Sequence, residues 1–147
     1  MPVFKLKFLA VPAAAGLLAL AACGGGTDAG PTSGGEVRTV EVRALDTLRF
    51  EPASLSVTKG EKIRFVVTNS GKIDHEFVVG DEETQMAHED QSGEMDHMAA
   101  ESLAALDLKP GETKEATVTF DEAGKVLFGC HEPGHYNGGM VGTITVG

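Results

Sequence analysis

The sequence predicts an all-β domain, a Greek-key β-sandwich or barrel of about seven to eight strands. Three observations predict it. Short stretches rich in Val, Ile, Thr and Phe recur through residues 36–147, which is the composition of half-buried strands. Turn dipeptides separate them, namely Lys59-Gly60, Ser70-Gly71, Pro110-Gly111 and Ala123-Gly124, where Gly and Pro supply the backbone angles of tight turns. The segment is also about 110 residues long, enough for one compact core and too short for two.

In chain order, residues 1–22 carry Lys5 and Lys7, then an apolar run rich in Ala and Leu that stops at Leu20-Ala21-Ala22-Cys23. This is the pattern of an export signal peptide and not of a membrane span. The small residues before Cys23 resemble the bacterial lipobox, which implies that Cys23 is acylated and becomes the mature N-terminus. Residues 23–35 are then the lipidated cysteine and a flexible linker, G-G-G-T-D-A-G-P-T-S-G-G. Such a linker spans about 20 Å on average and offers nothing to build a core. The expected location is periplasmic, held to a bacterial membrane as a lipoprotein.

The domain of residues 36–147 follows. Val37 to Leu45 alternates apolar and polar residues; Leu48, Phe50, Leu55 and Val57 continue the pattern around Glu51-Pro52; Ile63 to Thr68 is β-branched. His75 to Val79, Ala116 to Phe120, Val126 to Phe128 and Val141 to Val146 complete the expected strands.

The stretch from Gly80 to Leu103 breaks the rhythm and contains neither Lys nor Arg. It reads as an inserted acidic Met/His loop or short helix. Met86, His88, Met95, His97 and Met98 offer thioether and imidazole donors for a second copper site. The competing reading is an acidic surface segment, helical from residue 93 to 103, with its methionines on the sandwich.

Charge excludes one class of partner. Without Lys5 and Lys7 the chain keeps ten basic against twenty-two acidic side chains, a net charge of −12, which disfavours nucleic acid. There is no glycine-rich phosphate loop after a strand and no basic cluster.

Chemistry concentrates in F-G-C-H-E-P-G-H-Y-N-G-G-M, residues 128–140. Cys130, His135 and Met140 stand at intervals of five, with Pro and Gly between them to bend the backbone. His75, ahead of the apolar run F-V-V, is the natural fourth donor. One thiolate, two imidazoles and a weak thioether form the ligand set of a blue-copper electron-transfer site.

The motifs N-x-G-x-x-x-H-E-F, from Asn69 to Phe77, and C-x4-H-x4-M before a last strand resemble the cupredoxins, the plastocyanin- and azurin-like type 1 copper proteins. The resemblance covers roughly residues 36–147. It implies one copper held by His75, Cys130 and His135 in a trigonal set, with Met140 axial, no second role for Cys130 in a disulfide, and no enzymatic substrate site. Multicopper oxidases flank their cysteine with two histidines. Here the preceding residue is Gly129 and the chain holds five His in all, so His131 is expected to be a solvent-facing neighbour. Phe77 and Phe128 are expected in the apolar shell, and backbone N–H groups near Cys130 as donors to its sulfur.

The implied function is one-electron transfer. The alternative is a periplasmic copper-handling or copper-tolerance protein that uses the Met/His segment. Either implies a monomer meeting redox or copper-transfer protein partners at the membrane.

Overall fold

A computed structural model describes residues 36–90 and 102–147. The described elements are β1 (Arg38–Leu45), β2 (Arg49–Glu51), β3 (Ser54–Val57), β4 (Lys62–Asn69), β5 (His75–Gly80), α1 (Glu82–Asp90), β6 (Ala104–Leu108), β7 (Thr113–Thr119), β8 (Gly124–Gly129) and β9 (Val141–Val146). The strands form two sheets, ordered β2-β1-β4-β7 and β3-β9-β8-β5-β6. The expected export signal, Cys23 and the expected linker lie outside the described residues.

Alternation builds the sandwich. Val40, Val42 and Ala44 of β1 and Ile63, Phe65 and Val67 of β4 turn inward, while Glu41, Arg43, Lys62 and Arg64 face water. Period-two side chains put one set of residues on the core face and the other outside. β1 lies parallel to β4 with Val40 opposite Phe65, and β3 parallel to β9 with Leu55 opposite Ile144. Both pairs join strands distant in sequence, so the chain crosses between sheets several times.

Five phenylalanines fill the centre. Phe50, Phe77 and Phe128 meet pairwise at ring separations of 5.3–5.6 Å, and Phe65 contacts Phe77 at 5.4 Å and Phe120 at 6.4 Å. These offset and edge contacts are the ones aromatic quadrupoles favour. Phe77 and Phe128 are fully buried, as expected.

The structure extends the sequence reading in its strand count. Nine strands are described rather than seven or eight, because the chain around Pro52 divides into β2 and β3 in different sheets, and because A-A-L-D-L forms β6 without a β-branched residue. The insertion opens with a short helix, Glu82–Asp90, while positions 93–101 of the segment expected to be helical lie outside the described residues. Asp81 caps the helix: its carboxylate accepts the N–H of Thr84 at 2.8 Å, and Glu82 and Glu83 fill the first turn, where negative charge suits the free N–H groups.

β5 is buried on every residue, which a two-layer sandwich does not require. α1 supplies the reason by lying on the outer face of its sheet: the Gln85 amide donates to the Val78 carbonyl at 3.1 Å.

Candidate metal centre

His75 opens β5 and Cys130 follows the last residue of β8. These strands are antiparallel neighbours, with Val78 opposite Gly129, so one end of the sheet brings together residues 55 positions apart. His135 comes from the loop between β8 and β9. That loop folds on itself: Cys130 N–H donates to Met140 O (3.1 Å), Met140 N–H to His135 O (3.0 Å), and His135 N–H to Glu132 O (2.9 Å). Gly134 and Gly139 take positive φ of 80° and 92°, angles that side-chain-bearing residues adopt at a cost.

The donor atoms of His75, Cys130 and His135 all lie within 4.8 Å of one another, a convergence found in no other His, Cys, Asp or Glu trio among the described residues. Cys130 Sγ stands 3.3 Å from His135 Nδ1 and 3.8 Å from His75 Nδ1. Two donors bonded at about 2.0–2.3 Å to one tetrahedral ion are separated by about 3.6 Å, so the spacing fits a shared metal. Met140 is fully buried and its backbone is tied to both Cys130 and His135. Thiolate and thioether select copper over hard cations, and two imidazoles complete the set. The four predicted ligands thus occupy one corner of the fold.

The loop before His75 is built by Asn69, the first residue of the N-x-G motif. Its buried amide donates to Ile73 O (2.7 Å) and Leu108 O (2.9 Å), and its oxygen accepts Gly71 N–H (2.9 Å). Asp46 accepts Lys72 N–H at 2.8 Å and stands 3.6 Å from His75 Nε2.

Burial governs protonation. It pushes the Cys130 thiol up from 9.0 to about 11, against the Glu76 N–H that donates to its sulfur at 3.2 Å. That donor comes from β5, across the sheet, and the Glu132 backbone N–H, from the chain just after Cys130, lowers the pKa in the same way, as expected. Burial also lowers the His75 pKa, helped by His135 and opposed by Asp46. The copper-free site therefore holds a neutral thiol beside a neutral His75 imidazole at pH 7. A thiol whose pKa is raised by folding is protonated in the native chain while the unfolded chain ionises, so its contribution is fully present below pH 9.0 and lost as pH rises toward 11. The copper-free protein should lose on the order of 2 kcal/mol between those limits from this group, and Cys130→Ala should lack that part. Denaturant titrations of both proteins at pH 8 and 10.5 check it; identical pH slopes would refute it.

His131 corrects an expectation. It is 3 % exposed, not solvent-facing. Its Nδ1 lies 3.1 Å from Glu89 and its Nε2 2.9 Å from Gln85, its ring stacks on Tyr136, and its N–H donates to buried Glu76. Burial lowers its pKa while Glu89 opposes. None of these partners was readable from the sequence, because each contact joins segments more than forty residues apart except Tyr136.

Of the suggested second site, Met86 and His88 lie among the described residues. Met86 and His88 are two positions apart on α1, about 200° around the helix; Met86 is 62 % exposed and His88 6 %. The His88 ring stacks on His131 at 5.6 Å. Met95, His97 and Met98 are outside the described residues.

Known proteins agree with this geometry. Residues 37–147 match the family described as copper binding proteins, plastocyanin/azurin family. The copper-resistant cuproprotein CopI of Rubrivivax gelatinosus is 40 % identical over 109 residues, covering 74 % of this chain and 66 % of that protein, just under two thirds of its length. CopI of Pseudomonas aeruginosa is 35 % identical over 138 residues, covering 74 % and 76 %. Among solved structures, reduced auracyanin from Roseiflexus castenholzii superposes with a TM-score of 0.67 at 26 % identity, covering 78 % of this chain and 99 % of that one. The chain belongs to the plastocyanin/azurin family of copper-binding proteins, the cupredoxins, and its cofactor is copper.

Proposed function

We propose that this protein is an exported, lipid-anchored cupredoxin with one mononuclear type 1 copper, held by His75, Cys130, His135 and Met140, that cycles a single electron in the service of copper tolerance. The observation that carries the reading is the cluster of buried Cys130 and His75, at the ends of two adjacent strands, with half-buried His135 from the loop. Copper bound there supplies a one-electron couple between its +1 and +2 states.

The chain's part is to hold one arrangement through both states. Cys130 and His75 stand on paired strands, His135 and Met140 on a loop closed by its own backbone bonds. The Phe77 and Phe128 side chains behind them keep water out, and the Glu76 N–H steadies the thiolate. A frame that moves little lowers the reorganisation each transfer requires, and hydrogen bonds to the sulfur tune the potential.

Copper tolerance is favoured over a pure carrier role by the relatives named copper-resistant cuproproteins. The likeness to auracyanin, one form of which is described as a "blue" copper protein from a photosynthetic bacterium, supports the second reading, a one-electron carrier between membrane-associated partners. Lipidation at Cys23, a periplasmic location, a monomeric state and redox or copper-transfer partners at the membrane belong to either reading.

Growth of a copper-sensitive bacterial strain separates them. Expression of the wild type is expected to raise the copper concentration that halts growth by about twofold or more, and His75→Ala to abolish the gain, since loss of one ligand removes tight binding. Equal sensitivity with both proteins would leave the carrier reading.

A further inference from the structure

We infer that helix α1 belongs to the frame of the copper centre, with Glu89 and Gln85 as positioning residues that clamp the ligand loop from outside. The proposal rests on the reading of Cys130, His135 and Met140 as ligands, and it gives the inserted segment a role that needs no second metal.

One carboxylate ties two points of the loop. Glu89 Oε2 meets His131 Nδ1 at 3.1 Å, and Glu89 Oε1 accepts from Asn137 Nδ2 at 2.5 Å. His131 adjoins Cys130, and Asn137 lies between His135 and Met140. The two contacts therefore bracket His135 from a helix more than forty residues away in sequence.

Gln85 fixes the other side of the His131 ring. Its amide nitrogen faces the carbonyls of Val78 (3.1 Å) and Leu127 (3.5 Å), so its oxygen must face His131 Nε2, 2.9 Å away, which donates to it. Gln85 is fully buried, where an unpaired amide is costly. Tyr136 covers the ring face at 4.8 Å. Close approach is made possible by Gly129, where a Cβ would stand 2.5 Å from Gln85 Oε1 and 2.8 Å from the Tyr136 ring.

The loop's backbone bonds close it at the base and set its turns. Those bonds run within the loop, and the His131 and Asn137 side chains tie it to α1. Outer partners of this kind are worth about 10–100-fold in metal affinity elsewhere.

The test uses the copper-loaded full chain and follows release of copper to the Cu(I) chelator bicinchoninate after reduction. Glu89→Ala is expected to release copper about tenfold faster and to shift the visible thiolate band, the size typical of a lost outer partner. Glu89→Gln is the conservative rescue: its oxygen can accept from Asn137, and its amide can donate to the bare Nδ1 of a neutral His131 ring that keeps its Nε2 proton on Gln85, so it should stay within about threefold of wild type. Asn137→Ala, at an exposed position, removes half the clamp without endangering the fold, and should be faster than wild type but no worse in the Glu89→Ala background.

Release from Glu89→Ala within about twofold of wild type, with an unchanged spectrum, would overturn the proposal. So would unchanged release from Asn137→Ala should Glu89→Ala fail to fold. Absence of the thiolate band from the wild type would instead overturn the ligand reading and this inference with it.

Discussion

Replacing Cys130 by Ser is expected to abolish the intense visible thiolate-to-Cu(II) band of the copper-loaded protein and to lower copper affinity by orders of magnitude. The band requires a sulfur orbital overlapping the metal, and no other thiol of the domain can substitute: Met140 offers a thioether and Cys130 is the one cysteine of residues 36–147. Folding should survive, because serine is slightly smaller and the Glu76 N–H that donates to Sγ at 3.2 Å can donate to a hydroxyl. Two other substitutions grade the effect. His75→Ala removes a buried nitrogen donor and weakens binding without deleting the sulfur. Met140→Leu conserves volume, keeps the colour and raises the reduction potential, since Cu(II) loses more from a missing weak donor than Cu(I) does. Titration with Cu(II) followed by absorption spectroscopy distinguishes the three; a band that persists in Cys130→Ser would place the thiolate assignment elsewhere.

The ligands were legible because their spacing is local and their chemistry is distinctive. Cys130, His135 and Met140 share one short loop, and His75 is marked by the apolar run that carries it into the sheet. The surroundings of those ligands were not legible. Gln85 and Glu89 read as part of an acidic insertion, and only folding brings them to His131, 46 and 42 residues away. The helix itself left a signal, Asp81 followed by Glu82-Glu83-Thr84, a cap and an acidic first turn, which the Met and His content of the same stretch obscured. Alternation marked β1 and β-branched content marked β4, but neither signal marks β6, whose A-A-L-D-L has weak β-propensity and is a strand because Phe77, opposite Leu106, gives it a partner. Tertiary pairing overrode local preference there.

Gly142→Ala is expected to cost about 2–3 kcal/mol, the range of overpacking in a tight core. Gly142 of β9 sits opposite Phe128 of β8, and a Cβ placed on it would lie 2.1 Å from Phe128 Cζ and 2.3 Å from Cε2. The backbone at Gly142 is ordinary strand, so space alone is at issue. The Phe128 ring cannot yield easily, since Phe50 and Phe77 each hold it at 5.3 Å and it is fully buried. Two residues later comes Cys130, so a shift of β8 reaches the copper centre as well. For a domain near this size the cost corresponds to a fall in Tm of roughly 10–20 °C. Phe128→Leu in the Gly142→Ala background should recover part of the loss, because the smaller side chain vacates the space the new methyl needs, giving a coupling of about 1 kcal/mol or more. Thermal melts of the copper-free wild type, both single variants and the double variant measure that coupling. Strict additivity, or a Gly142→Ala Tm within a few degrees of wild type, would show that the Phe128 cluster is looser than its packing indicates.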